Sequence, residues 1–455
     1  MNMKIFAIIA CKLTRLFLRA IGRGGTALPG KVALRICPGL LSYLAKDVNT
    51  VVITGTNGKT TSSRIVEQAF IQTGKSYFAN KSGANLMTGI TAEFAAHATI
   101  FGKPKCENAV IECDEAAAKA VLKALSPKIV LVTNIFRDQL DRYGEVTHTL
   151  ENIRIGLSAV PEALLCLNAD CSLTASLAED LPNRAVFFGV NVPIYKNRVA
   201  EVSDAPYCIH CKSEYVYDYV TYAHLGGYRC PTCGYARPQP EVAVSRIISQ
   251  EADGSRIEID DRGNKYTAGI NLPGGFNIYN AVGAFTALTE FGFTPDEAVN
   301  ALGGFECAFG RMEKFDFGRS PIRMILVKNP AGCNQVLNFL TNLDGDAVFV
   351  VCLNDNYADG TDVSWIWDVN FEVLLGMGER LKKVVVSGIR ADDMALRLYY
   401  AGIDGDRLEV IRGGDELIEA MAESDAPVFV MPTYTAMLDL RGRLSEKYGV
   451  SRFWE

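Results

Sequence analysis

Gly55, Gly58, Lys59 and Thr60 stand as G-x-x-G-K-T directly after an apolar, β-branched run. These are the residue types that hold nucleotide phosphates. A glycine-rich turn between a strand and a helix aims several backbone N–H groups at one point, and the helix dipole makes that point favourable for an anion. Lys59 adds a positive charge for the outer phosphates, and the Thr60 hydroxyl is suited to Mg²⁺. Thr56, Asn57 and Thr61 complete the candidate nucleotide-binding stretch. The general phosphate-loop pattern has a glycine five residues before Gly58, where this chain has Ile53, so the loop is a shortened form. A plain glycine turn is the competing reading. The Lys-Thr pair at the helix entrance puts phosphate binding ahead of it. Lys59 is expected to touch phosphate alone, so that its removal would leave the fold intact.

Cys208-x-x-Cys211 and Cys230-x-x-Cys233 form a second constellation, with 18 residues between the pairs. Each pair is a knuckle that aims two thiolates at one point, and four thiolates complete a tetrahedral zinc site. Disulfides or a redox pair are the lesser alternatives, because a redox C-x-x-C normally sits in a βαβ unit. His210 and His224 lie nearby as substitute ligands. A closed four-cysteine site leaves no open position for substrate, so its expected role is folding. The module is not notably basic, which argues against nucleic-acid binding.

Several further residues are candidates with a bland alternative beside them. Glu112 ends the apolar run Val110-Ile111, and Asp114 and Glu115 read as the acidic start of a helix. Asn277 and Asn280 follow Gly274-Gly275; an N-cap asparagine plus an exposed one is an equally good account. Asp355, Asp359, Asp362 and Asp368 cluster around glycine and two tryptophans, where the bland reading is an acidic turn with an aspartate capping residues 363–367. The four histidines are His97, His148, His210 and His224, so nothing after Gly226 can build a Cys–His pair.

These residues need elements to position them. Short apolar runs at Thr50–Thr54, Ala109–Cys113, Ile129–Thr133, Leu164–Asn168 and Ala185–Gly189 read as buried strands. Helical segments such as Thr60–Gln72, Glu115–Leu125 and Val146–Ser158 lie between them, which predicts a parallel sheet covered on both faces. Around Ser203 the texture turns to cysteine, tyrosine and glycine and by Pro240 it turns back, which reads as an inserted module. Val242–Ile248, Ser255–Ile259 and Lys265–Ile270 suggest antiparallel strands, and Asn277–Phe291 a helix. A second alternating block follows from Phe315, with strands at 347–352, 383–387, 408–411 and 428–431.

At 455 residues two or three domains are expected. The net charge of −6 argues against a broad nucleic-acid surface. No apolar run reaches the roughly 20 residues of a membrane-spanning helix. The start looks superficially like a secretion signal, but Lys12, Arg15 and Arg19 interrupt it and the apolar residues recur at helical spacing. An amphipathic basic helix is expected. Packing on the body of the protein is preferred over contact with an anionic membrane face. Thirteen scattered cysteines beside a nucleotide loop fit a reducing, cytoplasmic setting, with the inner face of the cell membrane as a further option.

Thr54-Gly-Thr-Asn-Gly-Lys-Thr-Thr61 resembles the ATP loop of the Mur ligases and the related folylpolyglutamate synthases. Thr133-Asn134 through Asp138-Gln139-Leu140-Asp141 resembles the T-N-x-x-x-D-H-L-D segment of that family, with Gln139 in place of the usual histidine. Gln139, the Cys₄ insertion, Lys328-Asn-Pro-Ala-Gly332 and Leu353–Asp368 together resemble one branch, the ligase subunits that amidate lipid II. The resemblance covers nearly the whole chain. It implies an α/β fold with a Mur-ligase-type P-loop ATPase domain (residues 49–310) behind an N-terminal helical segment (1–48). It also implies a Cys₄ zinc ribbon (203–238) inserted in the ATPase domain, and a C-terminal Rossmann-like α/β domain (311–455) facing a partner. The implied reaction is ATP-dependent amidation of the D-glutamate α-carboxylate of the lipid II stem peptide, through an acyl phosphate, to D-isoglutamine. Ammonia would come from a separate GatD-like glutaminase subunit in a heterodimer. On the resemblance, Lys59 serves phosphate, Glu112 joins Thr60 on Mg²⁺, and Asn277, Asn280 and Arg311 of Gly310-Arg-x-Glu313 approach ATP. A linker salt bridge is the bland reading of Arg311. Asp362, of Gly360-x-Asp362, would complete the partner's catalytic triad, with Asp355 and Asp359 as fallbacks. An amino-acid-adding Mur or folate ligase, and a non-catalytic nucleotide-binding regulator with a zinc ribbon, are the competing functions. Gln139 and the Asp-rich segment count against the first of these.

Overall fold

The computed structural model describes residues 3–21, 26–80, 83–136, 146–194, 204–251, 254–304, 311–403 and 405–449, without the side chains of 311 and 312. Two sheets organise them. The first is built from β1 (Asn49–Thr54), β2 (Tyr77–Ala79), β3 (Asn108–Glu112), β4 (Ile129–Val132), β5 (Leu164–Asn168) and β6 (Ala185–Val190). A separate hairpin, β7 (Val216–Tyr222) and β8 (Leu225–Arg229), intervenes before the chain returns as β9 (Val242–Glu251), β10 (Gly254–Asp261) and β11 (Asn264–Ile270). The spatial order is β11-β10-β9-β6-β5-β4-β1-β3-β2. All pairs from β2 to β9 are parallel, and β9-β10-β11 are antiparallel. The antiparallel strands expected after Pro240 therefore extend the same sheet, giving one mixed sheet of nine.

The parallel part forms because its strands are apolar along their interior positions. Val51, Val52, Ile53, Val110, Ile111, Val130 and Leu131 are all fully buried, as a strand with helices on both faces requires. The helices Lys59–Thr73, Glu115–Leu125 and Gly275–Phe291 supply that cover. Asp114 caps the second of them by accepting from the Ala116 N–H at 3.0 Å. Sequence periodicity did not mark the helices Leu28–Ile36, Leu40–Ala45 and Met87–Ala96, which are short or apolar on several faces. Met87–Ala96 buries seven consecutive residues from Gly89 to Ala95, so it has no polar face to betray its period.

The second sheet contains β12 (Arg311–Phe315), β13 (Ile322–Ile325), β14 (Ala347–Cys352), β15 (Leu381–Ser387), β16 (Leu408–Val410) and β17 (Val428–Pro432), in the order β12-β13-β17-β14-β15-β16. Only the β12-β13 pair is antiparallel. Strand alternation sorts its side chains into two cores. Phe349, Val351, Val384 and Val386 enter one, while Val350, Cys352, Val385 and Val430 enter the other.

At the N-terminus, the helix Met3–Ala20 packs by Ala7, Ile8, Cys11 and Leu18. Arg15 makes an ion pair with Glu93 at 3.1 Å. The expected packing thus holds for one face only; the opposite face is exposed.

Candidate functional site

The Gly55–Thr61 turn sits at the C-terminal end of β1, between the ends of β3 and β4. Ile53 pairs with Glu112, and Thr54 with Val132. The chain order puts β1 next to both neighbours, and this is where ligands collect in parallel sheets. Gly55 and Gly58 have φ of +122° and +85°, values that a β-carbon disfavours. Space forbids one as well. A Cβ at Gly55 would lie 2.4 Å from Thr133 Oγ1, and one at Gly58 would lie 1.9 Å from Asn280 Oδ1.

Thr133 and Asn134 brace this turn from the end of β4. The Asn57 N–H donates to Asn134 Oδ1 at 2.9 Å, and Asn134 Nδ2 donates to the Asn57 carbonyl at 3.1 Å. Thr133 Oγ1 donates to the same carbonyl at 2.7 Å. Thr56 Oγ1 bonds both the N–H and the carbonyl of Phe136. The Lys59–Thr73 helix begins behind Gly58 with no side-chain cap, so its first-turn N–H groups lie at a helix end that a side chain does not close. Thr60 is half-buried there.

Lys59 is nine-tenths buried and turns back over the loop. Its Nζ donates to the Gly55 carbonyl at 2.5 Å, to the Thr56 carbonyl at 3.1 Å and to Glu115 Oε2 at 2.9 Å. Glu115 is itself buried. This corrects the expectation that Lys59 has phosphate contacts alone, and it makes Glu115 a site residue rather than a helix-start charge. A carboxylate three residues after Glu112, on the opening turn of a helix, was the signal available.

Glu112 is buried at the end of β3. Its N–H donates to Asn80 Oδ1 at 2.8 Å, Asn80 Nδ2 donates back to its carbonyl at 2.8 Å, and Asn85 Nδ2 lies 3.4 Å from its Oε1. Asn277 and Asn280 are both buried, so neither is the exposed residue of the bland reading, and Gly274 takes the N-cap position. Asn277 Nδ2 donates to the Pro273 carbonyl at 2.7 Å, and its Oδ1 accepts from Asn280 Nδ2 at 3.0 Å. Asn280 is thereby held against Gly58.

A residue of the second sheet also reaches the turn. Asn329 Nδ2 donates to Asn57 Oδ1 at 3.3 Å, while Asn329 Oδ1 accepts from the Gly332 N–H at 2.7 Å and caps the helix Pro330–Thr341. An asparagine before a proline marks a helix start in sequence, but nothing marks its reach to residue 57. The side chain of Arg311 lies outside the described residues, as do Asp138, Gln139 and Asp141. Two residues on, Glu313 on β12 pairs with buried Arg441 of the helix Tyr434–Tyr448 at 2.6 Å, within the second-sheet unit.

The four cysteines converge. Cys208 and Cys233 sulfurs are 3.5 Å apart, Cys211 and Cys230 3.3 Å, and all four lie within 4.8 Å of one another. Tetrahedral zinc with bonds near 2.3 Å separates its sulfurs by about 3.8 Å, so the donor set fits that ion. Neither histidine competes. His210 Nε2 faces Glu179 at 3.0 Å. His224 is buried beside Phe136 with its Nε2 3.4 Å from Cys171 Sγ, and desolvation lowers its pKa to about 3.

The hairpin that follows from this cluster is anchored through Asp170. That carboxylate is fully buried and accepts from Arg237 Nε at 2.6 Å, from the Val190 N–H at 2.9 Å and from Tyr279 Oη at 2.5 Å. Tyr279 Oη also lies 2.6 Å from Thr221 Oγ1 on β7. Burial raises the Asp170 pKa, and Arg237 with these hydrogen bonds opposes it. Tyr279 stands between Asn277 and Asn280 on the same helix. No local pattern of residues marks this link.

Asp362 belongs to the segment leaving β14. Its Oδ1 accepts from the Ser364 N–H at 2.8 Å, a local turn bond ahead of the short 3₁₀ helix Ser364–Asp368, whose N-cap is Val363, and it is exposed. Asp355 pairs with Arg390 at 2.7 Å, and Asp359 is buried, accepting from the Thr435 N–H and hydroxyl at 2.7 and 2.5 Å. Of these three, Asp362 alone is exposed.

Comparison with known proteins adds to this geometry. Residues 53–215 match the family model described as the Mur ligase middle domain, and residues 326–437 match MurT ligase C-terminal. The chain is 33% identical over 451 residues to the lipid II isoglutaminyl synthase (glutamine-hydrolyzing) subunit MurT of Streptococcus pneumoniae (strain ATCC BAA-255 / R6), covering 98% of each chain. It is 34% identical over 445 residues to the subunit of the same name from Staphylococcus aureus (strain COL), covering 97% of this chain and 98% of that one. Among solved structures, MurF from Acinetobacter baumannii superposes with a TM-score of 0.68 at 15% identity, over 92% of this chain and 81% of that one, a likeness of fold.

Proposed function

This chain belongs to the MurT branch of the Mur ligase family, and from that membership we propose that it is the ligase subunit of a lipid II isoglutaminyl synthase. It is an enzyme that forms a carbon–nitrogen bond, converting the D-glutamate α-carboxylate of the lipid II stem peptide to the carboxamide. One observation carries the reading: Lys59, Glu115, Asn280 and Asn329 meet around one glycine turn, with Glu112 at the paired strand end, in a chain similar to MurT subunits over nearly its full length.

The chemistry explains the need for such a site. A carboxylate is a poor electrophile because its leaving group would be oxide. Its oxygen attacks the γ-phosphorus of ATP, ADP leaves, and the acyl phosphate forms. Ammonia nitrogen then attacks the carbonyl carbon, inorganic phosphate departs, and a proton is lost from nitrogen. Catalysis of the first step is mostly positioning and charge neutralisation. We assign Gly55 to Thr61 to the phosphates, with Lys59 swinging from the Gly55 and Thr56 carbonyls toward them. Thr60 and Glu112 are the residues suited to hold Mg²⁺, which would supply charge neutralisation at the phosphates. Asn280, fixed by Asn277, keeps the Gly58 peptide in place, and Asn329 brings the second sheet to the same point. Arg311 remains a candidate for approach to ATP.

The reading divides the chain at the bounds expected from sequence: a helical segment (1–48), an ATPase domain (49–310) carrying a ribbon (203–238), and a partner-facing domain (311–455). Ammonia from a glutaminase subunit in a heterodimer, and work on a lipid-linked substrate in the cytoplasm, belong to the same reading. No helix among the described residues is long and apolar enough to cross a membrane. The test is ADP release by the purified chain. It should require both lipid II and ammonium, and mass spectrometry should find carboxamide in place of carboxyl. Incorporation of an amino acid in place of ammonia, or no turnover with either, would sink the proposal.

Zinc in the Cys208, Cys211, Cys230 and Cys233 cluster would act through folding, because four protein ligands leave no open position. Metal analysis should find about one zinc per chain. Cys230→Ser should lose that metal and most soluble yield together. A metal-free chain that amidates at the normal rate would remove the structural role.

A further inference from the structure

We infer that the exposed face of the helix Met3–Ala20 is a docking surface for an anionic lipid bilayer, on which the helix lies in the plane of the surface. Met3, Phe6, Leu13, Leu16, Phe17 and Ile21 are between 42% and 67% exposed. At 3.6 residues per turn the first five fall on one side of the helix, away from the buried Ile8, Cys11 and Leu18, and Ile21 follows directly on its end. Isolated exposed apolar residues need no explanation, but five on one face of a helix about 27 Å long do.

Charge decides what covers them. The first 46 residues hold eight Lys and Arg and no Asp or Glu, while the other 409 hold 38 and 52. The chain's −6 therefore divides into +8 and −14. Arg19, Lys31 and Arg35 are exposed on and beside this helix. A neighbouring loop repeats the combination. Ile100 and Phe101 are exposed and precede Lys103 and Lys105. Lys12 Nζ donates to the Ala98 carbonyl at 2.5 Å, and Tyr43, under Lys4, donates to the Phe101 carbonyl, so the loop adjoins the helix. A second copy of the chain would bring like charges together if the two apolar faces met. Nucleic acid would answer the charge and leave the apolar stripe in water. An anionic lipid surface takes both, with apolar side chains at the acyl boundary and cations at the headgroups. The inference deepens the reading proposed above, because a lipid-linked substrate would then be met at its own surface.

The test is co-sedimentation of the full zinc-loaded chain with vesicles that contain no lipid II. Mixed phosphatidylglycerol and phosphatidylcholine vesicles should retain the chain, and added salt should release it; pure phosphatidylcholine should bind about tenfold less. Leu13→Gln with Phe17→Gln should lose about tenfold or more in vesicle affinity with an unchanged melting temperature, since both residues are exposed. Arg19→Gln with Lys31→Gln should do the same through charge. A wild-type chain left in the supernatant, or variants that bind like wild type, would overturn the inference. So would a dimer on gel filtration that the Leu13 and Phe17 changes dissociate. Because no substrate is present, failure of the amidation reading would leave this result standing, and failure here would leave amidation standing.

Discussion

Lys59→Ala should lower lipid II amidation by about a hundred- to a thousandfold, the usual consequence of removing one positioned donor from a developing charge. It should also lower stability, which sequence reasoning did not anticipate. Lys59 and Glu115 side chains are 10% and 7% exposed and 2.9 Å apart. Removing the lysine leaves Glu115 buried without its cation, an error that typically costs about 3–5 kcal/mol. The two effects can be separated. Adding Glu115→Gln to Lys59→Ala removes the stranded charge and should recover most of the melting temperature while amidation stays lost. Substantial turnover by Lys59→Ala at saturating ATP would refute the phosphate assignment. Recovery of activity along with stability in the double variant would refute it equally.

Asp362→Asn should abolish amidation driven by glutamine, by roughly 10³- to 10⁴-fold, and spare amidation fed with free ammonium. Loss of the carboxylate that orients a catalytic histidine has that order of effect. The substitution is nearly isosteric. Asp362 uses Oδ1 to accept from the Ser364 N–H, and an asparagine retains that acceptor, so the 3₁₀ helix behind it should persist. Asp355→Asn weakens the pair with Arg390, and Asp359→Asn disturbs a buried carboxylate bonded to Thr435. A carboxylate supplied by this chain would keep a glutaminase idle until the two subunits meet. Equal loss with both nitrogen sources, complex formation being intact, would assign Asp362 to the ligase site or the fold.

Much of the first sheet was legible because its parallel strands have apolar interiors and several of its helices are amphipathic. Leu164–Asn168, Glu115–Leu125 and Val146–Ser158 have the bounds that periodicity gives. The glycine turn was legible for a related reason, since Gly55 and Gly58 take conformations that few other residues allow. Contacts between distant parts of the chain were not. Glu115 looked like a helix-start charge because Asp114 and Glu115 form one acidic cluster in sequence, yet Asp114 caps the helix and Glu115 turns to Lys59. Asn329 lies 272 residues from Asn57, and no local pattern encodes that meeting. Asn277 and Asn280 have an even bland alternative in sequence, since spacing alone does not say which way a helix faces; in the structure Asn280 lies against Gly58 and Asn277 holds it there.

The Asp170 network bears on how removable the cysteine-bearing insertion is. An insertion is commonly regarded as ornament that can be trimmed from its host. Here Arg237, on the inserted stretch, donates to a carboxylate that is wholly inside the host, and Thr221, on the same stretch, bonds the tyrosine that donates to it. Trimming the stretch would take the Arg237 cation from buried Asp170 and the Thr221 hydroxyl from Tyr279, the neighbour of Asn280. A minimal version of this enzyme could not be made by cutting alone; residue 170 would have to become uncharged in the same step. Host and insertion have one shared interior, and the smallest unit that can be engineered, swapped or inherited is the two together.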